Sequence, residues 1–157
     1  MLAFGANDDN APRYGYVKLN AVPVWQKSWS GTLPSDRGVH VFRVDPFSCS
    51  VLESHSFDTY GDKNAATELK DYLQQLNRGT IIVGVKADEP SLYLASALPI
   101  LKEMGADVGD VRSRGSFGFV AQKGFPAKTV LRKTLTSEES YTSQPHFNAR
   151  VTDATYF

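Results

Sequence analysis

Hydrophobic positions along this chain recur with two different spacings, and the switch between them outlines the elements. In the run Arg37-Gly38-Val39-His40-Val41-Phe42-Arg43-Val44-Asp45, β-branched and aromatic residues predict a strand. Pro46 lacks the N–H that a ladder needs and ends it. The pattern resumes at Val51 and reaches Phe57, so a hairpin is predicted across Pro46-Phe47-Ser48-Cys49. The spacing then changes to threes and fours. Ala65, Ala66, Leu69, Tyr72, Leu73 and Leu76 define one helix face, with Asp62 placed to cap its start and Asn77-Arg78-Gly79 to stop it. Ile81-Ile82-Val83-Gly84-Val85 is a short continuous apolar run, the pattern of a strand buried on both faces. Leu92, Leu94, Ala95, Leu98, Leu101 and Met104 give a second helical stripe. Pro90 fits its first turn, Pro99 predicts a kink inside it, and Gly105 ends it. Phe117, Phe119 and Val120 predict a further strand.

The flanks are β-like. Tyr14, Tyr16, Val17 and Leu19 predict a strand over residues 13–19, closed by a turn at Asn20-Ala21. Residues 22–29 continue extended, but Pro23 restricts them to an edge strand or an arm. Residues 30–36 read as a loop, and the polar first ten residues as a segment without structure of its own. After Gly124-Phe125-Pro126, strands are predicted at Thr129-Val130-Leu131 and over residues 147–157, separated by the polar stretch 134–145. No internal repeat is present. Residues 1–157 therefore read as a single α+β domain, with a core at 37–124 and extra strands supplied by both termini.

Composition narrows the function classes. Lys plus Arg and Asp plus Glu are 17 each, so the net charge is zero. That leaves no electrostatic footprint for nucleic acid or an anionic membrane, and it does not oppose self-association. No apolar run has the length of a membrane span, and no basic-then-apolar leader opens the chain. Cys49 is the only cysteine, so no intrachain disulfide and no cysteine-based zinc site is expected, and it reads as a partly buried thiol at a turn. His40, His55 and His146 lack metal-ligand spacing, no serine sits in a nucleophile elbow, and no glycine-rich phosphate loop precedes a helix. The expectation is a protein that is not an enzyme and needs no metal or cofactor.

The ordered motifs Arg37-Gly38-Val39-His40-Val41-Phe42, Ser56-Phe57-Asp58-Thr59-Tyr60-Gly61-Asp62, Gly79-Thr80-Ile81-Ile82-Val83-Gly84-Val85-Lys86 and Gly115-Ser116-Phe117-Gly118-Phe119-Val120 resemble one family. It is the domain of the cytokine-like, interleukin-like inducers of epithelial–mesenchymal transition. The same domain forms the stem of protein O-mannose N-acetylglucosaminyltransferase and occurs in large extracellular hyaluronan-related proteins. The resemblance implies two sheets facing one another, flanked by two main helices. It also implies binding rather than catalysis, and, from the sugar-binding stem domain, an N-acetylhexosamine ligand.

Candidate site residues follow from both sources. In Phe57-Asp58-Thr59-Tyr60-Gly61, Asp58 and Thr59 can bond local backbone where strand gives way to helix, and Gly61 is expected to supply an unusual backbone angle. Alternatively Tyr60 and Asp58 line a pocket. Asp88 and Glu89 correspond to an acidic pair of the family: they are either sugar or calcium ligands or helix-start carboxylates favoured by the dipole. Asp110, Arg112 and Arg114 precede the strand at Phe117, and Arg112 and Arg114 alternate onto one side of an extended approach. Arg114 matches the family's arginine, whereas Gly115 and Phe117 stand where the family has an acid and a tryptophan. The two guanidinium groups either donate to a sugar or pair with Asp107 or Asp110. Trp25 and Trp29 are stacking platforms for a sugar face, anchors of a subunit interface, or ordinary core.

The expected protein is a secreted, homo-oligomeric lectin for N-acetylhexosamine-containing glycans, gaining avidity by repetition of a weak site. The competing expectation is a secreted cytokine-like signal acting through a protein receptor. The single cysteine counts against the latter, because those relatives carry disulfides.

Overall fold

Five antiparallel strands form the middle layer of the protein, covered by helices on one face and by a second, three-stranded sheet on the other. This is seen in a computed structural model that describes residues 2–4, 14–19, 22–28, 37–87, 93–112 and 115–135. In chain order the strands are β1 (Leu2–Phe4), β2 (Tyr14–Leu19), β3 (Val22–Ser28), β4 (Gly38–Val44), β5 (Val51–Phe57), β6 (Ile81–Ala87), β7 (Ser116–Gln122) and β8 (Val130–Thr134). The helices are α1 (Ala65–Gln75) and α2 (Leu98–Glu103), the latter preceded by a 3₁₀ turn at Leu94–Ala97. The small sheet has the order β1-β2-β3 and the large one β5-β4-β6-β7-β8. This α+β architecture of facing antiparallel sheets with two helices is the one expected.

Alternation along the central strands feeds two cores. Val39, Val41, Phe57, Ile82, Phe117, Phe119 and Ala121 point at Leu69, Leu73, Leu101 and Met104 of the helices. Phe42, Val44, Ile81, Val83 and Val85 point the other way, at Val17, Leu19 and Trp25 of the small sheet. The continuous apolar run of β6 thus serves both faces, as its composition predicted. Gly84 interrupts it because the Phe119 ring occupies the place of a side chain: a Cβ there would lie 2.2 Å from Phe119 Cζ.

Local signals misplaced several details. Helix α1 starts at Ala65 with Asn64 at its N-cap. Asp62 instead accepts the Asn64 N–H at 2.8 Å and shapes the turn before the helix. Pro99 is not a kink but lies in the first turn of α2, where a missing N–H costs nothing. Within the first ten residues, Leu2–Phe4 is a strand paired antiparallel with β2, a long-range contact that a polar N-terminal composition does not announce. Pro23 does sit in an edge strand: β3 pairs only with β2 among the described residues, and its register shifts beside that proline. The β4–β5 hairpin forms as predicted, with Asp45 accepting the Phe47 and Ser48 N–H groups, both at 2.8 Å, and Cys49 left-handed at φ 56°. Cys49 is half-buried and its thiol is free. The strand predicted over 147–157 and the expected Pro90 helix start lie outside the described residues.

Candidate functional site

The antiparallel registers bring the start of β4, the ends of β5 and β6, the start of β7 and the end of β8 to one end of the large sheet. Gly38 lies opposite Ala87, Val39 opposite Phe57, and Ser116 opposite Thr134. Most of the candidate polar residues gather at this rim, in two corners.

At the β5 corner the chain leaves the strand through Asp58-Thr59-Tyr60-Gly61. Gly38 makes the turn possible: its φ is +90°, and a Cβ there would lie 1.9 Å from the Phe57 carbonyl oxygen. Asp58 Oδ1 accepts the Gly61 N–H at 2.8 Å and the Tyr60 N–H at 3.3 Å, while its Oδ2 accepts from Arg37 at 2.8 Å. Burial pushes the Asp58 carboxyl up, but these N–H groups and the Arg37 guanidinium outweigh it and hold it below the ordinary carboxylate range. The same guanidinium sits over the Tyr60 ring, 5.2 Å from its centroid. Gly61 is needed for space rather than for a special angle, contrary to expectation: a Cβ there would come within 2.5 Å of the Arg37 guanidinium. Thr59 is fully buried, and its carbonyl accepts the Tyr93 N–H at 2.9 Å. That bond ties a second tyrosine to this corner, and the side chains of both are exposed, Tyr60 at 42% and Tyr93 at 39%. Among the described residues, Arg37 Nε and Thr59 Oγ1 are buried here with no protein partner.

The other corner lies at β7 and β8. Lys86, fully buried on β6, donates to the Gly115 carbonyl. The Gly115 N–H donates to the Arg112 carbonyl at 2.9 Å, and the Arg112 N–H to the Leu135 carbonyl at 3.0 Å. Backbone bonds therefore fix Arg112 at the rim while its side chain is exposed. The position where the family has an acid carries glycine for a steric reason. A Cβ at Gly115 would lie 2.6 Å from the Thr134 carbonyl oxygen and 2.8 Å from that of Leu135. Asp110 forms an ion pair with Lys133, and Asp107 pairs with Lys102 at 3.1 Å. Among the described residues neither acid pairs with Arg112.

The structure divides the sequence-predicted residues rather than uniting them. Tyr60 belongs to the β5 corner, and Arg112 and Asp110 to the β8 corner. Four strand spacings separate β5 from β8, about 19 Å at the usual inter-strand distance, far beyond the reach of one sugar ring. Trp25 is elsewhere: it lies between the two sheets, its ring 4.9 Å from that of His40 and 6.1 Å from that of Phe42, and it seats β3 on β4. Trp29, Asp88, Glu89 and Arg114 lie outside the described residues. His40 and His55 do fall on neighbouring strands but on opposite faces. His40 is buried, with Nδ1 2.7 Å from Ser56 Oγ, and His55 packs at 4.5 Å against Tyr72. No group of three metal-ligating side chains occurs among the described residues. Motif and spacing alone do not mark Arg37, Lys86 or Tyr93. Arg37 precedes a glycine at a strand start, and an isolated lysine closing an otherwise apolar strand was the available signal for Lys86.

These features define an α+β domain of two facing sheets whose large sheet ends in a polar, aromatic rim. The chain belongs to the interleukin-like EMT inducer family, whose model matches residues 37–125, more than half of its length. It is also 31% identical over 108 residues to the human cell migration-inducing and hyaluronan-binding protein, a match covering 68% of this chain but 8% of that protein. No helix among the described residues is long and apolar enough to cross a membrane.

Proposed function

We propose that the protein is a non-catalytic carbohydrate-binding protein, a secreted and homo-oligomeric lectin for glycans containing N-acetylhexosamine. The observation that carries this reading is the β5 corner, where exposed Tyr60 and Tyr93, joined through Thr59, stand beside the Arg37–Asp58 pair. Aromatic faces accept the apolar C–H face of a pyranose, and the fixed guanidinium and carboxylate supply donors and acceptors for hydroxyl and acetamido groups. The hyaluronan-binding relative supports the class of ligand, since hyaluronan is a polymer containing N-acetylglucosamine. The Arg112 corner extends the rim to further sugar units of a longer glycan, a role that the sequence also offers to Arg114. The reading assigns Trp25 to sheet packing instead.

Isothermal titration with N-acetylglucosamine and N-acetylgalactosamine tests it. Binding in the millimolar-to-micromolar range is expected, on the order of 4–8 kcal/mol. Tyr60→Ala should weaken the monosaccharide about tenfold, the loss of a stacking contact and its ordered neighbours. Arg112→Ala and Arg114→Ala should spare the monosaccharide and weaken oligosaccharides by a similar factor, since charged donors are worth about 1.5–3 kcal/mol. No heat with either sugar, together with an empty glycan array, refutes the reading.

A further inference from the structure

We infer that the β5 corner admits only uncharged sugar units, and that Asp58 is the residue that turns acidic sugars away. This rests on the lectin reading and names the class of unit that the same corner accepts.

An acidic sugar brings a carboxylate, which accepts hydrogen bonds and donates none. Its best seat in a protein is the edge of a guanidinium, where two parallel N–H groups meet two oxygens. Arg37 has no such edge to offer. Its Nε is buried, which closes the side-on edge. Its Nη2 already donates to Asp58 Oδ2 at 2.8 Å, so an anion approaching the end-on edge meets a like charge beside the shared nitrogen. One face of the group lies over the Tyr60 ring. Single N–H donors remain, and these suffice for a hydroxyl or an acetamido carbonyl.

Asp58 asks for a ligand that donates. A carboxylate has about four acceptor sites. Oδ1 takes the Gly61 and Tyr60 N–H groups and Oδ2 takes Arg37, which leaves room for a further donor. Hydroxyl and acetamido groups carry that hydrogen, and an ionised ligand carboxylate does not. Among the described residues no other charge tips the balance at this corner. Asp62 and Lys63, next in the turn, are an acid and a base. Lys86 on β6 is fully buried and donates to the Gly115 carbonyl of the other corner. Arg112 stands at that corner, about 19 Å away and beyond the Debye length at physiological salt. A ligand carboxylate set against Tyr60 and Tyr93 would therefore lose water without gaining a cation, and an unpaired charge is the costliest group to bury. An uncharged pyranose carries no such cost.

Isothermal titration of the full chain with matched sugars tests this. The probes are N-acetylglucosamine, N-acetylglucosaminuronic acid, and the methyl ester of that acid, which has its carbon frame without its charge. N-acetylglucosamine and the ester should bind, and the acid about tenfold more weakly than the ester, or worse. Asp58→Asn removes the competing charge and leaves the guanidinium to the ligand. The acid should then bind about tenfold more tightly than it does to wild type, while N-acetylglucosamine binds more weakly. A merely structural role for Asp58 would weaken all three alike and overturns its assignment. The wild-type comparison of acid with ester decides the matter even where Asp58→Asn does not fold. Acid and ester binding wild type within about threefold of each other overturns the inference and leaves the lectin reading intact. No heat with N-acetylglucosamine or the ester refutes the lectin reading, and the inference with it.

Discussion

Adding one methyl group at Gly61 should disconnect the β5 corner without touching the core. The new Cβ would lie 2.5 Å from the Arg37 guanidinium, 2.6 Å from Asp58 Oδ2 and 3.2 Å from Asp58 Cγ. Relief requires the flexible ends of both Arg37 and Asp58 to move away by about 1 Å, since ordinary contacts begin near 3.5 Å. That breaks the 2.8 Å bond to Asp58 and the seat over Tyr60. A charge-assisted hydrogen bond is worth about 1.5–3 kcal/mol, and this one, with both side chains about a quarter exposed, belongs at the low end. The lost cation–π contact adds about 0.5 kcal/mol. Against this, Gly→Ala at a position whose φ is not positive returns about 0.4–1 kcal/mol by restricting the unfolded chain. The net destabilisation is on the order of 1 kcal/mol, a fall in Tm of about 2–4 °C for a chain of this size. Thermal unfolding by circular dichroism measures it. The decisive comparison repeats Gly61→Ala in an Arg37→Met background, where no guanidinium pair remains to break and only the Asp58 contact resists the methyl, so the loss should be clearly smaller. An equal loss in both backgrounds would refute the reasoning.

Three further outcomes follow from the same geometry. Asp58 has a folded-state pKa below its unfolded one, so its pairing stabilises the fold above the ordinary carboxylate pKa of about 4 and is lost as pH falls through the lower folded value. Asp58→Asn should therefore be less stable than wild type at neutral pH, with the gap closing on acidification in urea titrations; a constant gap contradicts the assignment. Gly84→Ala forces its methyl into the Phe119 ring at 2.2 Å and should cost about 1–3 kcal/mol, partly restored by Phe119→Leu; chemical denaturation reads both. Sugar binding should survive chelation, since no ligand cluster with metal geometry occurs among the described residues; loss with chelator and recovery with calcium would sink that expectation.

Much of the β-sheet was legible in the chain because its determinants are local. The hairpin followed from Pro46 and the flanking β-branched runs, whereas α1 ends at an extended Leu76, just before its Asn77-Arg78-Gly79 signal, and the φ of +92° at Gly79 belongs to the turn into β6. The two-sided burial of β6 followed from its unbroken apolar stretch. Strand β1 was not legible: three residues in a polar terminus become a strand only because β2 lies alongside. The site divided along the same line. The sequence marked Tyr60 and Arg112 by motif, but it could not say that they occupy opposite ends of a sheet rim, since strand order is a long-range property. It offered Trp25 as a sugar platform, whereas stacking of the two sheets holds it over His40 and Phe42. It placed Gly61 as a conformational residue, whereas the guanidinium of Arg37, just before β4, makes the demand one of space. Local pattern determines which segments become strands and helices, because periodicity and turn chemistry act within a few residues. Only tertiary packing decides which side chains share a surface, because that is set by pairing between segments far apart in the chain.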